Sequence, residues 1–224
     1  MKIIEPSFVL STPYKNNLTD FDGMQMLRFI ERQARISHRS EDKQTPDSWS
    51  RFIKAVVLEH GDWSVVEHAS ITATIRVDRG VTHELVRHRL FAFTQESTRF
   101  VRYKGEMEFV IPAPPERAND PVFMELWTKA MTQAEENYMR AISQAWYPQV
   151  ARSLLPNALA STIAVTGNLR NWRHFFLMRT SKETHPDFRR ITIPMLAEFQ
   201  RVVPILYDDI LPEQRQVDNL GKPR

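Results

Sequence analysis

The chain of 224 residues contains no cysteine. That absence excludes disulfides, thiolate metal sites, iron–sulfur clusters and any cysteine nucleophile. No apolar run approaches the roughly 20 residues that a membrane span requires. A Gly-x-Gly-x-x-Gly loop is absent, and so is a Walker loop, which argues against a Rossmann dinucleotide site or a P-loop phosphate site. No Gly-x-Ser-x-Gly elbow surrounds Ser97, so that serine is not expected to be a nucleophile. His60 and His68 are eight residues apart, without the short paired spacings of zinc sites, and no metal is expected. Net charge is only +3, too weak to argue for nucleic acid without clustering. An acid and a proline, Glu5 and Pro6, come early and no small-residue cleavage site follows. A secretory leader is therefore not expected, and the expected location is cytoplasmic.

What remains is an ordinary globular composition, 42% hydrophobic and 25% charged, long enough for one domain over 1–224. Asp20 to Ser37 carries Met24, Leu27, Ile30 and Ala34 at helical spacing. Thr45-Pro46-Asp47-Ser48 opens a second helix that runs to Glu59 and closes at Gly61. Ser70 to Asp78 alternates apolar and polar residues, the pattern of a half-buried strand. Val81 to Arg89 reads as a short helix that delivers Arg87-His88-Arg89 at its end, in an apolar and therefore buried setting. Glu108 to Ile111 reads as a strand, stopped by Pro112 and the Pro114-Pro115 pair.

Pro121 to Trp146 reads as a long helix with Phe123, Leu126, Met131, Ala134 and Tyr138 on or near one face. A short helix over Tyr147 to Leu155 stops at Pro156, and Ala160 to Thr166 reads as a strand with Gly167 as its turn. Helices follow over Leu169 to Ser181 and Phe188 to about Tyr207, with Thr184 as the cap and Pro186 in the first turn of the second. Strands are few and do not alternate regularly with helices, so the fold class is α+β.

The residues that can carry chemistry are rich in arginine. Arg87-His88-Arg89 is followed seven residues later by Ser97, inside Thr94-Gln95-Glu96-Ser97-Thr98-Arg99. Guanidinium forks grip phosphates and carbonyls bidentately, and hydroxyl and backbone N–H donors complete such a cradle. Further groups are Ser64, Glu67 and His68, then Arg152, then Asn168, Arg170, His174 and Arg179. Arg170 and His174 share a helix face, and Arg173 is expected to point outward.

In order and spacing these pieces resemble the flavin-dependent thymidylate synthases, the ThyX family, whose signature is Arg-His-Arg, seven residues, Ser. The resemblance runs from Gln33–Ser37 through His60–His68, the signature, Ala151–Pro156 and Asn168–Arg179 to His185–Arg189. It implies a curved antiparallel sheet flanked by helices, and a homotetramer whose active sites form between subunits. It also implies reductive methylation of dUMP to dTMP. Methylenetetrahydrofolate would supply the carbon, FAD would carry the hydride and NADPH would reduce the FAD.

By resemblance, Glu84, Arg87, Gln95, Glu96, Ser97, Thr98, Arg99 and Arg152 are the dUMP contacts. Arg152 would reach dUMP from a neighbouring subunit, and Arg179 would polarise the uracil, the catalytic role. Ser64, Arg87, His88, Arg89, Gln95, Asn168, Arg170 and His174 would contact FAD. Asp62 and Trp63 stand where many members carry a histidine, Glu84 replaces a common glutamine, and Thr94 replaces the usual Asn or Ser. Readings from other classes are a nucleic-acid-binding module, an inactive dUMP or flavin scaffold, and an unrelated flavin oxidoreductase. Neither nucleic acid nor membrane is an expected partner.

Overall fold

Thr19 begins the first helix with a capping box: the Asp22 carboxylate accepts from the Thr19 N–H at 2.8 Å and from its hydroxyl at 2.6 Å. Helix α1 (Asp20–Arg35) follows, burying Gly23, Leu27 and Ile30 along one stripe. Lys15 Nζ sits 2.9 Å from the same carboxylate. The lysine first, then the two Thr19 donors, holds the Asp22 carboxyl at about 2, below its ordinary 3.8. A carboxylate depressed in the folded state stabilises above its unfolded pKa and loses that contribution as pH falls through the folded one. Asp22→Asn should therefore destabilise the protein near neutrality, and the deficit should shrink as pH falls from 3.8 toward about 2. Denaturant midpoints of both proteins across that range measure this, and a pH-independent deficit would show that the cap acts without its charge.

The computed structural model describes residues 1–112 and 120–212. Pro114 and Pro115 lie outside the described residues. After α1 come helix α2 (Ser48–Ile53) and a π-helical stretch over Lys54–Glu59. Gly61 closes it at φ +84°, a backbone conformation that favours glycine. Strand β4 (Ser70–Asp78) keeps the expected alternation, with Ile71, Ala73, Ile75 and Val77 fully buried. Strand β7 (Ala160–Asn168) runs antiparallel to it. Thr72 meets Thr166 hydroxyl to hydroxyl at 2.8 Å, and Arg76 Nη1 meets the Thr162 hydroxyl at 2.7 Å.

With β2 (Ser7–Thr12), β3 (Lys15–Asn16) and β5 (Ala92–Gln95) these strands form a five-stranded sheet of order β3-β2-β4-β7-β5. Beside it, β1 (Lys2–Ile4) and β6 (Glu108–Val110) pair in parallel. The fold class is α+β, as the sparse strands imply. By internal contacts the described residues fall into two units interleaved along the chain. The first comprises Met1–Phe8, Thr74–Arg89 and Phe93–Val165. The second comprises Val9–Ala73, Leu90–Ala92 and the chain from Thr166 onward.

In the first unit, α3 (Arg79–Leu85), α4 (Pro121–Ser143) and α5 (Pro148–Ala151) carry the helical content. Asp120 caps α4, accepting from the backbone of Val122 and Phe123, and Pro121 occupies the first turn. Its inward residues are Trp127, Met131, Tyr138 and Ala141, packed with Met107, Phe109 and Leu159. Leu126, expected on the inner face, is 64% exposed. The buried stripe passes instead through its neighbour Trp127.

In the second unit, α6 (Leu169–Arg179) and α7 (Pro186–Val202) build an aromatic core of Trp172, Phe175, Phe176, Phe188 and Phe199, joined by Tyr207 from beyond α7. Ring centroids lie 4.9–5.9 Å apart among Trp172, Phe176, Phe199 and Tyr207, within the range of favourable aromatic pairs. Two sequence expectations change here. Gly167 is not a turn but an interior residue of β7, where an added Cβ would lie 2.4 Å from the Phe91 ring. Thr184 does not cap α7. His185 precedes Pro186 at that position, and the Thr184 hydroxyl donates instead to the Met178 carbonyl at 2.9 Å.

Candidate active site

Within the first unit, Asp78 turns the chain from strand to helix. Its Oδ1 accepts from the Val81 N–H at 2.9 Å, so α3 begins at Arg79. The helix ends at Leu85, earlier than its apolar pattern implies. Arg87 N–H donates to the Glu84 carbonyl and His88 N–H to the Leu85 carbonyl, and Arg87-His88-Arg89 therefore stands in the turns beyond the helix. The buried setting expected from its apolar neighbours is not found. Leu85 is buried, but Val86 and Leu90 are 39% and 71% exposed, because the chain has left the helix. Arg87 and Arg89 are exposed; Glu84 and His88 are half-buried. Among the described residues neither the Arg87 nor the Arg89 guanidinium has a hydrogen bond or ion pair.

Strand β5 then delivers Gln95, and Glu96 follows. The Gln95 Nε2 donates to the buried hydroxyls of Thr82 (2.9 Å) and Ser161 (3.1 Å). Glu96 accepts from the Tyr103 hydroxyl at 2.7 Å, and its N–H donates to the Thr162 carbonyl at 2.8 Å. Ser97 opens a turn. Its carbonyl accepts from Phe100 and Val101 N–H, and its hydroxyl oxygen accepts from the Arg99 N–H at 3.3 Å. Thr98 is buried and Arg99 is exposed. Arg99 lies 5.1 Å over the Phe100 ring and donates to Gln149 at 3.4 Å. These two residues, with Arg102, Tyr147, Pro148 and Gln149, line a cavity of about 510 Å³. Arg152 follows α5 in a tight turn, exposed.

Within the second unit, Ser64 is exposed in the 3₁₀ turn Trp63–His68, which follows the π-helical stretch and Gly61. Glu67 in that turn pairs with Arg170 at 2.6 Å; both are about half exposed, so solvent screens the pair. Asn168 caps α6, its Oδ1 accepting from the Asn171 N–H at 2.8 Å. Arg170 and His174 are exposed one helical turn apart, on one face as their spacing implies.

Arg173 differs from expectation. It is bound, not outward: it donates to the Leu206 carbonyl at 2.9 Å, pairs with Asp209, and lies 4.4 Å over the Trp63 ring. The C-terminal segment and the Trp63 turn supply those partners, and neither is visible from the helix's own periodicity. Arg179 ends α6 half-buried, its guanidinium 5.0 Å over the Phe188 ring, and its backbone carbonyl accepts from the Thr192 hydroxyl at 2.6 Å.

A family model described as thymidylate synthase complementing protein matches residues 21–205. A flavin-dependent thymidylate synthase of Corynebacterium glutamicum is 35% identical over 85% of this chain and 81% of its own. The chain belongs to this family. The family's namesake in Mycobacteroides abscessus is 34% identical over 93% of this chain and 88% of its own. A solved UMP/dUMP methylase, PolB, from Streptomyces cacaoi, crystallised with 5-Br dUMP, shares the fold at TM-score 0.73 and 20% identity. That likeness covers 93% of this chain and 96% of that one.

The signature motif of the family lies in the turn beyond α3, and Ser97 lies at the start of the turn after β5. Sequence reasoning missed two residues that the geometry joins to this region, Arg76 and Tyr103. Arg76 had a faint signal, a cation in the polar row of a half-buried strand; Tyr103 had none.

Proposed function

We propose that this chain converts dUMP to dTMP by flavin-dependent reductive methylation, with methylenetetrahydrofolate as carbon donor and NADPH as reductant. The observation that carries this reading is the family match over residues 21–205, a span that contains Arg87-His88-Arg89 and Ser97. The chain has no thiol, so the alternative attack on uracil C6 by an enzyme thiolate is closed.

The donor set fits FAD, which carries a pyrophosphate and a ring system edged with hydrogen-bonding groups. Arg87 and Arg89 are exposed guanidiniums without a protein partner among the described residues, free to grip an anion bidentately, and His88 lies between them. Arg170, His174 and Ser64 add exposed donors in the second unit, Asn168 stands at the start of their helix, and the Gln95 amide adds a carbonyl oxygen. Bound flavin supplies the hydride that completes the methyl group.

For dUMP, the Ser97 turn offers a hydroxyl, the Arg99 fork and the backbone at Thr98, with Arg152 contributing from a neighbouring subunit of a homotetramer. Arg87 and Glu84 complete the substrate contacts. Gln95 and Glu96 add acceptor oxygens beside the turn, the Gln95 Nε2 and the Glu96 N–H being bound within the protein. Arg179 faces the O2/N3 edge of the uracil. Its positive charge stabilises the anion formed when N3 loses a proton, which raises electron density at C5, the carbon that accepts the methylene. The whole chain, 1–224, acts as one catalytic domain in the cytoplasm.

The test is the visible spectrum of purified protein with FAD, with and without dUMP. A bound-flavin spectrum that shifts with dUMP, and not with dTTP or an oligonucleotide, is the expected result. A free-flavin spectrum indifferent to dUMP would refute the reading.

A further inference from the structure

Glu96 is one residue away from Ser97, and its side chain is tied down on several sides. Oε1 accepts from the Tyr103 hydroxyl at 2.7 Å. Oε2 accepts from the Thr162 N–H at 3.4 Å and lies 3.6 Å from Arg76 Nη1. Its own N–H donates to the Thr162 carbonyl at 2.8 Å. Three donors converge on the carboxylate, a pattern that suits its ionised form. Arg76 is itself held by Glu108 on Nε and Nη2, and its Nη1 donates to the Thr162 hydroxyl at 2.7 Å. Burial first, then the Glu96 carboxylate, pushes the Tyr103 phenol well above its ordinary value, so it stays a donor.

Immediately after this anchor the chain turns on itself through Ser97. That turn presents the Ser97 hydroxyl and the Arg99 guanidinium. A phosphate cradle works only if its donors are held in place before the ligand arrives, since a loose turn must be ordered at the expense of binding. We infer that Tyr103 and Arg76 are positioning residues: acting through the Glu96 carboxylate, they hold the Ser97–Arg99 turn in the shape that receives the phosphate of dUMP. The inference rests on the reading that this turn grips the phosphate. Neither residue is among the proposed substrate contacts: Arg76 stands on β4, and Tyr103 follows the turn.

The experiment uses holoenzyme with bound flavin. It measures KM and kcat for Tyr103→Phe, Glu96→Gln, Arg99→Ala and the Tyr103→Phe/Arg99→Ala double variant. Tyr103→Phe removes one hydrogen bond to a charged group and keeps the ring, so the fold is retained. Its KM for dUMP should rise about tenfold with kcat nearly unchanged. Glu96→Gln should do the same or more, because its NH₂ group faces the donors of Arg76 or Thr162. Arg99→Ala should raise KM by at least as much. In the double variant the two effects should fall well short of additive, because both act on one phosphate contact.

A Tyr103→Phe enzyme with wild-type KM beside a weakened Arg99→Ala enzyme would overturn the positioning role and leave the cradle standing. Full additivity in the double variant, or a fall confined to kcat, would also overturn it. An Arg99→Ala enzyme with unaltered KM would remove the cradle reading, and the positioning role with it.

Discussion

Arg179→Ala is expected to lower kcat about 100- to 1,000-fold while the protein still binds FAD, the cost of removing one preorganised donor from a developing anion. The guanidinium stacks on Phe188, so truncation also removes a cation–π contact worth about 1 kcal/mol. A denaturant midpoint measured beside kcat separates the loss of stability from the catalytic effect. If the arginine promotes loss of the N3 proton, the residual rate should climb as pH rises, because solvent hydroxide takes over the ionisation. Arg179→Lys keeps the charge but not the planar fork, and should fall between the two. Turnover at the wild-type level in the alanine variant would defeat the assignment.

Gly23→Ala should be the most destabilising single methyl that can be added to α1. The new Cβ would lie 1.6 Å from the carbonyl oxygen of Val202 and 2.6 Å from its carbon. Those are backbone atoms in the last turn of α7 and cannot rotate away. In an unpacked helix Gly→Ala gains about 1 kcal/mol, so propensity alone predicts stabilisation. Here the clash dominates, and α1 must move away from α7 at a cost of roughly 3 kcal/mol. A lower denaturant midpoint with an unchanged slope would report the loss. An equal or higher midpoint would mean that the helices adjust more easily than their carbonyl contact implies. Polar surface variants of α1, such as Gln25→Ala, should move the midpoint little.

These effects differ in how far the sequence foretells them. Periodicity located α1, α4, α6 and the strand at Ser70–Asp78, because each buries a stripe or face whose spacing is local. The missing cysteine excluded thiol chemistry without any structure. The motif and its ordered companions carried the family reading, which the match over residues 21–205 bears out.

Other features depend on partners far along the chain. Gly23 reads as a weak point in a helix until Val202 is placed against it. Gly167 reads as a turn until the Phe91 ring is found where its side chain would be. Arg173 reads as a surface cation until Asp209 and Trp63 meet it. That Glu96 is also held within the protein shows only once Tyr103 and Thr162 are found on its carboxylate. The sequence by itself determined the fold class, the main elements and the exclusion of thiol chemistry, which follow from local spacing and composition, and it carried the family through the resemblance of its motifs. Only the tertiary structure decided which arginines are left open and which are bound, and which polar side chains are anchors. Those outcomes turn on hydrogen bonds and close contacts between residues remote in sequence, and no local pattern encodes them.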